Sequence, residues 1–209
     1  MTAVSEESEA VLRGINGRKN IDVLLAGVGP ITAAARTARI LARKDYDLVV
    51  SAGIAGGFKG MAEIGSVVVA NKIVSADLGA EGPEGFLNLD QLGFGSSTTI
   101  PCDVEQISQL SQSLKAAGLL VQTGPILTVS TVTGSDTTAK EMADRVSGAV
   151  AEAMEGYGVA IAAKEYRLPV IELRAISNLV GPRDRSSWRM NDALAALATA
   201  SKVLAEVFS

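Results

Sequence analysis

Several residues in this sequence are of types and spacings that could do chemistry. Met154-Glu155-Gly156 follows a short apolar run, so Glu155 falls at the start of a helix and at the carboxyl edge of a sheet. A carboxylate there can accept from two vicinal sugar hydroxyls and orient a ribose. It can equally do no more than favour the helix dipole, by about 0.3–1 kcal/mol. Asn178 ends the apolar run Pro169–Ser177. Its amide offers a donor and an acceptor, which suits the edge of a base, or it is an ordinary turn asparagine. Glu6, Glu7 and Glu9 follow Thr2-Ala3-Val4 and read as a solvated first helical turn. Gly181-Pro182-Arg183-Asp184-Arg185 sets two guanidiniums near Trp188, either to hold a carboxylate or to begin a helix.

Two glycine clusters each follow an apolar run. Gly27-Val28-Gly29-Pro30 suggests a phosphate-cradling loop, but Thr32 stands where the third glycine of a dinucleotide fingerprint belongs, and Pro30 removes an amide donor. A tight strand-to-helix turn is the simpler reading. Gly53-Ile54-Ala55-Gly56-Gly57 reads as a turn past a buried strand, where three glycines let a ligand approach the backbone closely.

Composition narrows the chemistry. Histidine is absent, which removes Ser-His and Cys-His nucleophiles and any imidazole acid or base. The one cysteine, Cys102, excludes an internal disulfide and a cysteine-based zinc site. With a net charge of −4 the chain lacks the basic face that nucleic acid requires. Residues 1–9 hold three glutamates and no lysine or arginine, so no signal peptide is expected. No apolar stretch reaches the roughly 18 residues of a membrane span. The reading is a cytoplasmic chain without metal or cofactor.

The elements that must position these residues alternate. Apolar runs at Ile21–Ala26, Leu48–Ala52, Ser66–Ser75, Pro125–Ser130, Gly148–Ala153 and Pro169–Ser177 read as strands. Helices are expected over Thr32–Arg43, Asp103–Ala117, Thr137–Val146, Glu155–Arg167 and Ser187–Phe208, and Gly79–Gly95 as a long loop. Such alternation implies an α/β fold, one domain over residues 1–209, with a mainly parallel sheet covered on both faces. Ligands of such sheets sit beyond the carboxyl ends of the strands.

Taken together and in order, four pieces resemble the nucleoside phosphorylase/nucleosidase family. They are Ala26-Gly27-Val28-Gly29-Pro30, Ser51-Ala52-Gly53-Ile54-Ala55-Gly56-Gly57, Met154-Glu155-Gly156 and Leu173-Arg174-Ala175-Ile176-Ser177-Asn178. The resemblance implies a three-layer α/β/α sandwich around a mixed, partly barrel-like sheet, assembled as a homodimer or larger homo-oligomer. It places the water-activating base on Glu7, with Glu6 its neighbour. It puts Ile54, Ala55 and Gly56 against a small purine nucleoside, Met154 and Glu155 on the ribose, and Asn178 at purine N7. Val132 and Thr133 fall where the base is flanked. The family's first strand is represented only by Met1–Val4.

Two departures from the family pattern narrow the reaction. Members acting on adenine compounds carry an aspartate where Asn178 stands, and asparagine favours a 6-oxopurine such as hypoxanthine. Ile54 replaces a common hydroxyl residue and no Gly-Asp-Pro-x-Arg loop is present, which favours water over phosphate. The resemblance therefore implies a nucleosidase for an inosine bearing a carboxyphenyl chain at C5′. Arg183 or Arg185 would meet that carboxylate, and Trp188 or Phe86 the aryl ring. An inosine phosphorylase, a non-catalytic nucleoside-binding module and a dinucleotide oxidoreductase resting on Gly27 and Gly29 are the rivals.

Overall fold

The computed structural model describes residues 1–95 and 97–208. In chain order the elements are α1 (Ser5–Ile15), α2 (Pro30–Leu41), β1 (Val49–Gly57), β2 (Val67–Ser75), β3 (Gly79–Gly82), β4 (Gly85–Asn88) and α3 (Leu89–Leu92). They continue with β5 (Thr99–Pro101), α4 (Val104–Ala116), β6 (Val121–Thr128), α5 (Asp136–Arg145), β7 (Ala151–Ala153), α6 (Gly156–Glu165), β8 (Val170–Leu179) and α7 (Met190–Val207). Among the described residues no helix is long and apolar enough to cross a membrane.

The sheet runs β5-β2-β6-β7-β1-β8, and β8 returns to pair with β2, so five strands close into a ring. Closure depends on β2 having two partners along one edge. Val67–Val69 pair antiparallel with β8, and Lys72–Val74 with β5. Between these stretches the β2–β6 register slips at Asn71, a bulge that bends the strand from one neighbour to the next. The β1–β8, β2–β6 and β6–β7 pairs are parallel and the others antiparallel, so the sheet is mixed. Val67, Val68, Val69 and Ala70 are all fully buried, as expected for a strand covered on both faces.

Three expectations are corrected. The glycines Gly53–Gly57 do not turn; they are the second half of β1, paired with β8 throughout. Gly79–Gly95 is not a plain loop, because β3 and β4 form a hairpin followed by the short α3. Ile21–Ala26 yields a single parallel bridge, Thr2 to Leu25. Among the described residues its backbone ladder partner is Thr2 alone, whose N–H donates to the Leu24 carbonyl at 3.1 Å and whose carbonyl accepts from the Ala26 N–H at 2.7 Å. A ladder needs more than one residue of partner.

Helices cover the ring, and small residues set how closely. Gly158 of α6 faces the first turn of α2, where an added Cβ would stand 2.0 Å from the Pro30 carbonyl oxygen. Backbone cannot give way as a side-chain tip can. Gly158→Ala should therefore cost about 1–3 kcal/mol, the usual range for overpacking. Thermal denaturation should show the midpoint fall, while Gly134→Ala, where nothing lies within 4 Å, leaves it within about 0.5 kcal/mol of the parent. An equal effect of both would refute the close α2–α6 contact.

Candidate active site

The site is built on a buried cation. Glu172 and Arg174 alternate along β8 with Leu173 between them, so both side chains leave the same face. Arg174 is 1% exposed. Its Nε donates to Glu172 Oε1 at 2.9 Å, its Nη1 to Glu155 Oε2 at 3.4 Å and its Nη2 to Ser51 Oγ at 3.1 Å. Burial works against the guanidinium charge, but Glu172, Glu155 and Glu7 together hold its pKa above the ordinary value. One cation cannot balance so many carboxylates in a dry interior. Glu172 gives way: burial pushes its pKa up to about 7 against the pull of Arg174. Its Oε2 finds no partner among the described residues. Gly156 makes room for it, since a Cβ there would fall 2.2 Å from both carboxylate oxygens.

Glu7 enters from α1. As the third residue of the helix it turns back over the N-terminus, where Oε2 accepts from the Ala3 N–H at 2.8 Å and the Val4 N–H at 3.3 Å. Its Oε1 accepts from the Ile54 N–H at 2.9 Å. It is 3% exposed. Glu6 points to solvent and accepts from the Ser5 hydroxyl, so Glu7 alone of the pair belongs to the site. Gly53 explains the glycine run: a Cβ there would stand 2.5 Å from Glu7 Oε1 and 2.7 Å from Arg174 Nη1. The strand is bare because two charged groups lie against it.

Glu155 caps α6 and is buried. Its Oε1 accepts from the Gly29 N–H at 3.2 Å. The turn Gly27–Pro30 thus presents an amide to a carboxylate, and Gly29 reaches it at a φ of 86°, which a glycine adopts without strain.

Asn178 lies on the other side of β1. Pairing runs Arg174 with Gly53, Ile176 with Ala55, then Asn178 with Gly56, leaving Ser177 as an extra residue. Gly53 and Gly56 are three apart on one strand and so present opposite faces. The bulge at Ser177 thereby sends Asn178 to the face away from Arg174. A Cβ at Gly56 would stand 3.3 Å from Asn178 Nδ2. The Ser177 hydroxyl lies 2.8 Å from Asn178 Oδ1 and donates to it, and Nδ2 spends one N–H on the Leu179 carbonyl at 2.9 Å. Among the described residues the second Nδ2 hydrogen meets no acceptor and remains to donate.

The other predicted residues sort as follows. Ile54, Ala55, Gly56 and the half-buried Met154 line the ends of β1 and β7. Val132 is partly exposed, whereas Thr133 is buried and holds the Glu152 carboxylate. Arg183 and Arg185 flank Trp188, with guanidinium carbons 5.4 and 5.7 Å from the ring centroid. Trp188 lines a cavity of about 570 Å³ with Phe58, Met61 and Val180. Phe86 lies in a different cavity, its ring stacked 3.8 Å from the Arg145 guanidinium. Phe86 and Trp188 are not brought together. Sequence reasoning missed Glu172, Arg174 and Ser177 as working parts. The signal for the first two was visible: two charges spaced by two in an otherwise apolar strand.

Residues 3–209 match the family model described as the phosphorylase superfamily. The chain is 48% identical to futalosine hydrolase of Streptomyces coelicolor over 99% of its own length and 94% of the relative's. It is 45% identical to futalosine hydrolase of Acidothermus cellulolyticus, over 93% and 84%. Its fold is similar to the 5′-methylthioadenosine/S-adenosylhomocysteine nucleosidase of Neisseria meningitidis in complex with methylthio-immucillin-A. That match has a TM-score of 0.79 at 20% identity, over 99% of this chain and 95% of that one.

Glu172 supplies a pH test of this arrangement. Its pKa in the folded chain, about 7, lies above its ordinary 4.5, so the fold binds the proton more tightly than the unfolded chain. The stability it contributes is full below pH 4.5 and is lost as pH rises through about 7. The denaturation free energy of the parent minus that of Glu172→Gln should fall across this window by about 3 kcal/mol. A flat difference would mean that Glu172 is fully balanced by Arg174.

Proposed function

We propose that this chain, which belongs to the phosphorylase superfamily, is an N-glycosyl hydrolase that cleaves futalosine with water. The products are hypoxanthine and dehypoxanthine futalosine, a step toward menaquinone. The observation that carries the reading is the set of polar groups gathered around the glycines of β1. Glu7, Glu155 and Arg174 gather at Gly53, and Asn178 stands at Gly56 with a free N–H. The relatives named futalosine hydrolase support the choice of substrate.

On this reading Glu155 accepts from the ribose 2′ and 3′ hydroxyls, while Arg174 and the Gly29 N–H fix its orientation. The C1′–N9 bond stretches first and leaves an oxocarbenium-like sugar. Asn178 donates to the departing hypoxanthine at N7 or O6, where negative charge builds. Glu7 takes a proton from water as the oxygen attacks C1′. Its three backbone donors keep the carboxylate aimed before substrate arrives, and that preorganisation is worth more than flexibility at the moment of reaction. Trp188, between Arg183 and Arg185, would meet the carboxyphenyl end. No metal or organic cofactor takes part. Val28 and the strongly exposed Ile31, together at the start of α2, support assembly as a homo-oligomer. The reading places the chain in the cytoplasm.

Base release from futalosine, inosine and methylthioadenosine, with and without phosphate, tests the proposal. Hypoxanthine should appear from futalosine at a rate that phosphate leaves unchanged. Phosphate-dependent release from inosine would make the chain a phosphorylase instead. Glu7→Gln should lower kcat about 10²–10⁴-fold, the usual share of a general base, with KM nearly unchanged. Asn178→Ala should cost about 10²–10³-fold in kcat.

A further inference from the structure

Glu172 is fully buried, and the reaction above does not use it. Its Oε1 accepts from Arg174 Nε at 2.9 Å, while its Oε2 meets no partner among the described residues. Arg174 is thus its one hydrogen-bond partner there. The carboxylate lies against the first residue of α6, because a Cβ on Gly156 would fall 2.2 Å from either oxygen. Glu155 is the residue before that glycine. Two carboxylates therefore bond one guanidinium, at different nitrogens.

The sharing is unequal. Glu172 is met at 2.9 Å but Glu155 at 3.4 Å, beyond the roughly 2.7–2.9 Å of a strong ionic hydrogen bond. The other oxygen of Glu155 is also loosely held, by the Gly29 N–H at 3.2 Å. A carboxylate grips arginine best through two nitrogens of one edge. Nε and Nη2 form such an edge, and Glu172 and Ser51 hold it. Glu155 is left with Nη1 and a single long contact, so both its oxygens keep acceptor strength.

We propose that Glu172 is a positioning residue that draws Arg174 back from Glu155 and so leaves Glu155 free to accept from the ribose hydroxyls; this rests on the reading of Glu155 as the ribose contact. Without that pull the guanidinium would close on Glu155 as a bidentate pair, and the hydroxyls would have to compete with it. Protonation of Glu172 has the same effect. Burial raises its pKa to about 7, so it loses its charge, and with it most of its hold on Nε, as pH falls through that value. Arg174 stays charged across this range, its pKa raised above the ordinary value. The Cys102 thiol, which feels Glu172, is pushed up to about 12, and the Met1 amine, which feels Arg174, is lowered to about 5. Glu155 and Glu7 are the other charges around the guanidinium. Charge balance alone would make Glu172 matter to stability. Positioning makes it matter to the sugar.

The test is KM and kcat for futalosine, with the dissociation constant of hypoxanthine, which has no ribose, as the control. Both are measured from one pH unit below the Glu172 pKa to one above it. Glu172→Gln copies the protonated form. Its KM should lie about 10-fold above the parent's high-pH value, the effect of one charged hydrogen bond, and should not vary with pH. The parent's KM should rise about 5-fold as pH falls over the span, which is that effect spread over one titration. Neither change should move hypoxanthine binding by more than about twofold, and kcat should change less than KM. A parent KM that is flat with pH overturns the proposal, whether or not the variant folds. So does a variant that lowers kcat at constant KM, or that weakens hypoxanthine as much as futalosine. If futalosine is hydrolysed with a flat KM, the role of Glu172 alone is removed. If futalosine binds without being cleaved, its dissociation constant replaces KM: the same pH dependence keeps the role of Glu172 and removes the proposed reaction, and a flat constant removes both.

Discussion

The site depends on keeping one guanidinium out of water. Arg174 is buried in a strand of the closed sheet, and a lone buried cation would be prohibitively costly. The chain meets that cost with carboxylates from three places: β8 itself, the start of α6 and the start of α1. Glu7 and Glu155 therefore have two jobs. They offset the charge of Arg174, and they are held in a fixed position by doing so. Functional side chains on helix starts would otherwise be free to swing. Here their positions are determined by the charge they must stay near.

Glycine makes this possible. Charged groups cannot pack against a strand that carries side chains, so β1 is bare where Glu7 and Arg174 approach it and bare again where Asn178 does. Because the two bare positions lie three residues apart, they serve opposite faces. The strand thus leaves room for polar groups on both of its faces.

Much of this was legible in the sequence, but for reasons that mislead in detail. The alternation of apolar runs and helices gave the layers, because buried strands and amphipathic helices differ in period. The glycine run suggested a turn, since glycine is commonest where the backbone bends. Its actual cause is long-range, the ionic groups of residues 7 and 174, and no local pattern reports that. Glu7 and Glu155 looked like ordinary helix-start glutamates, and both do sit at helix starts. What sets them apart is their shared neighbour, Arg174, which is 167 residues from one and 19 from the other along the chain. The resemblance to known nucleosidases picked them out where residue type alone could not. The β3–β4 hairpin escaped notice because its four-residue strands are too short to show a period.

The extra residue at Ser177 acts as a ruler. Four positions separate Arg174 from Asn178, and the bulge decides on which face of β1 the fourth emerges. Removing one residue there would restore an even ladder and deliver the asparagine to the face that Arg174 occupies, with Arg174 undisturbed. Base choice in this architecture is thus encoded partly as a length. The number of residues before the asparagine, and not its identity alone, fixes the face it serves.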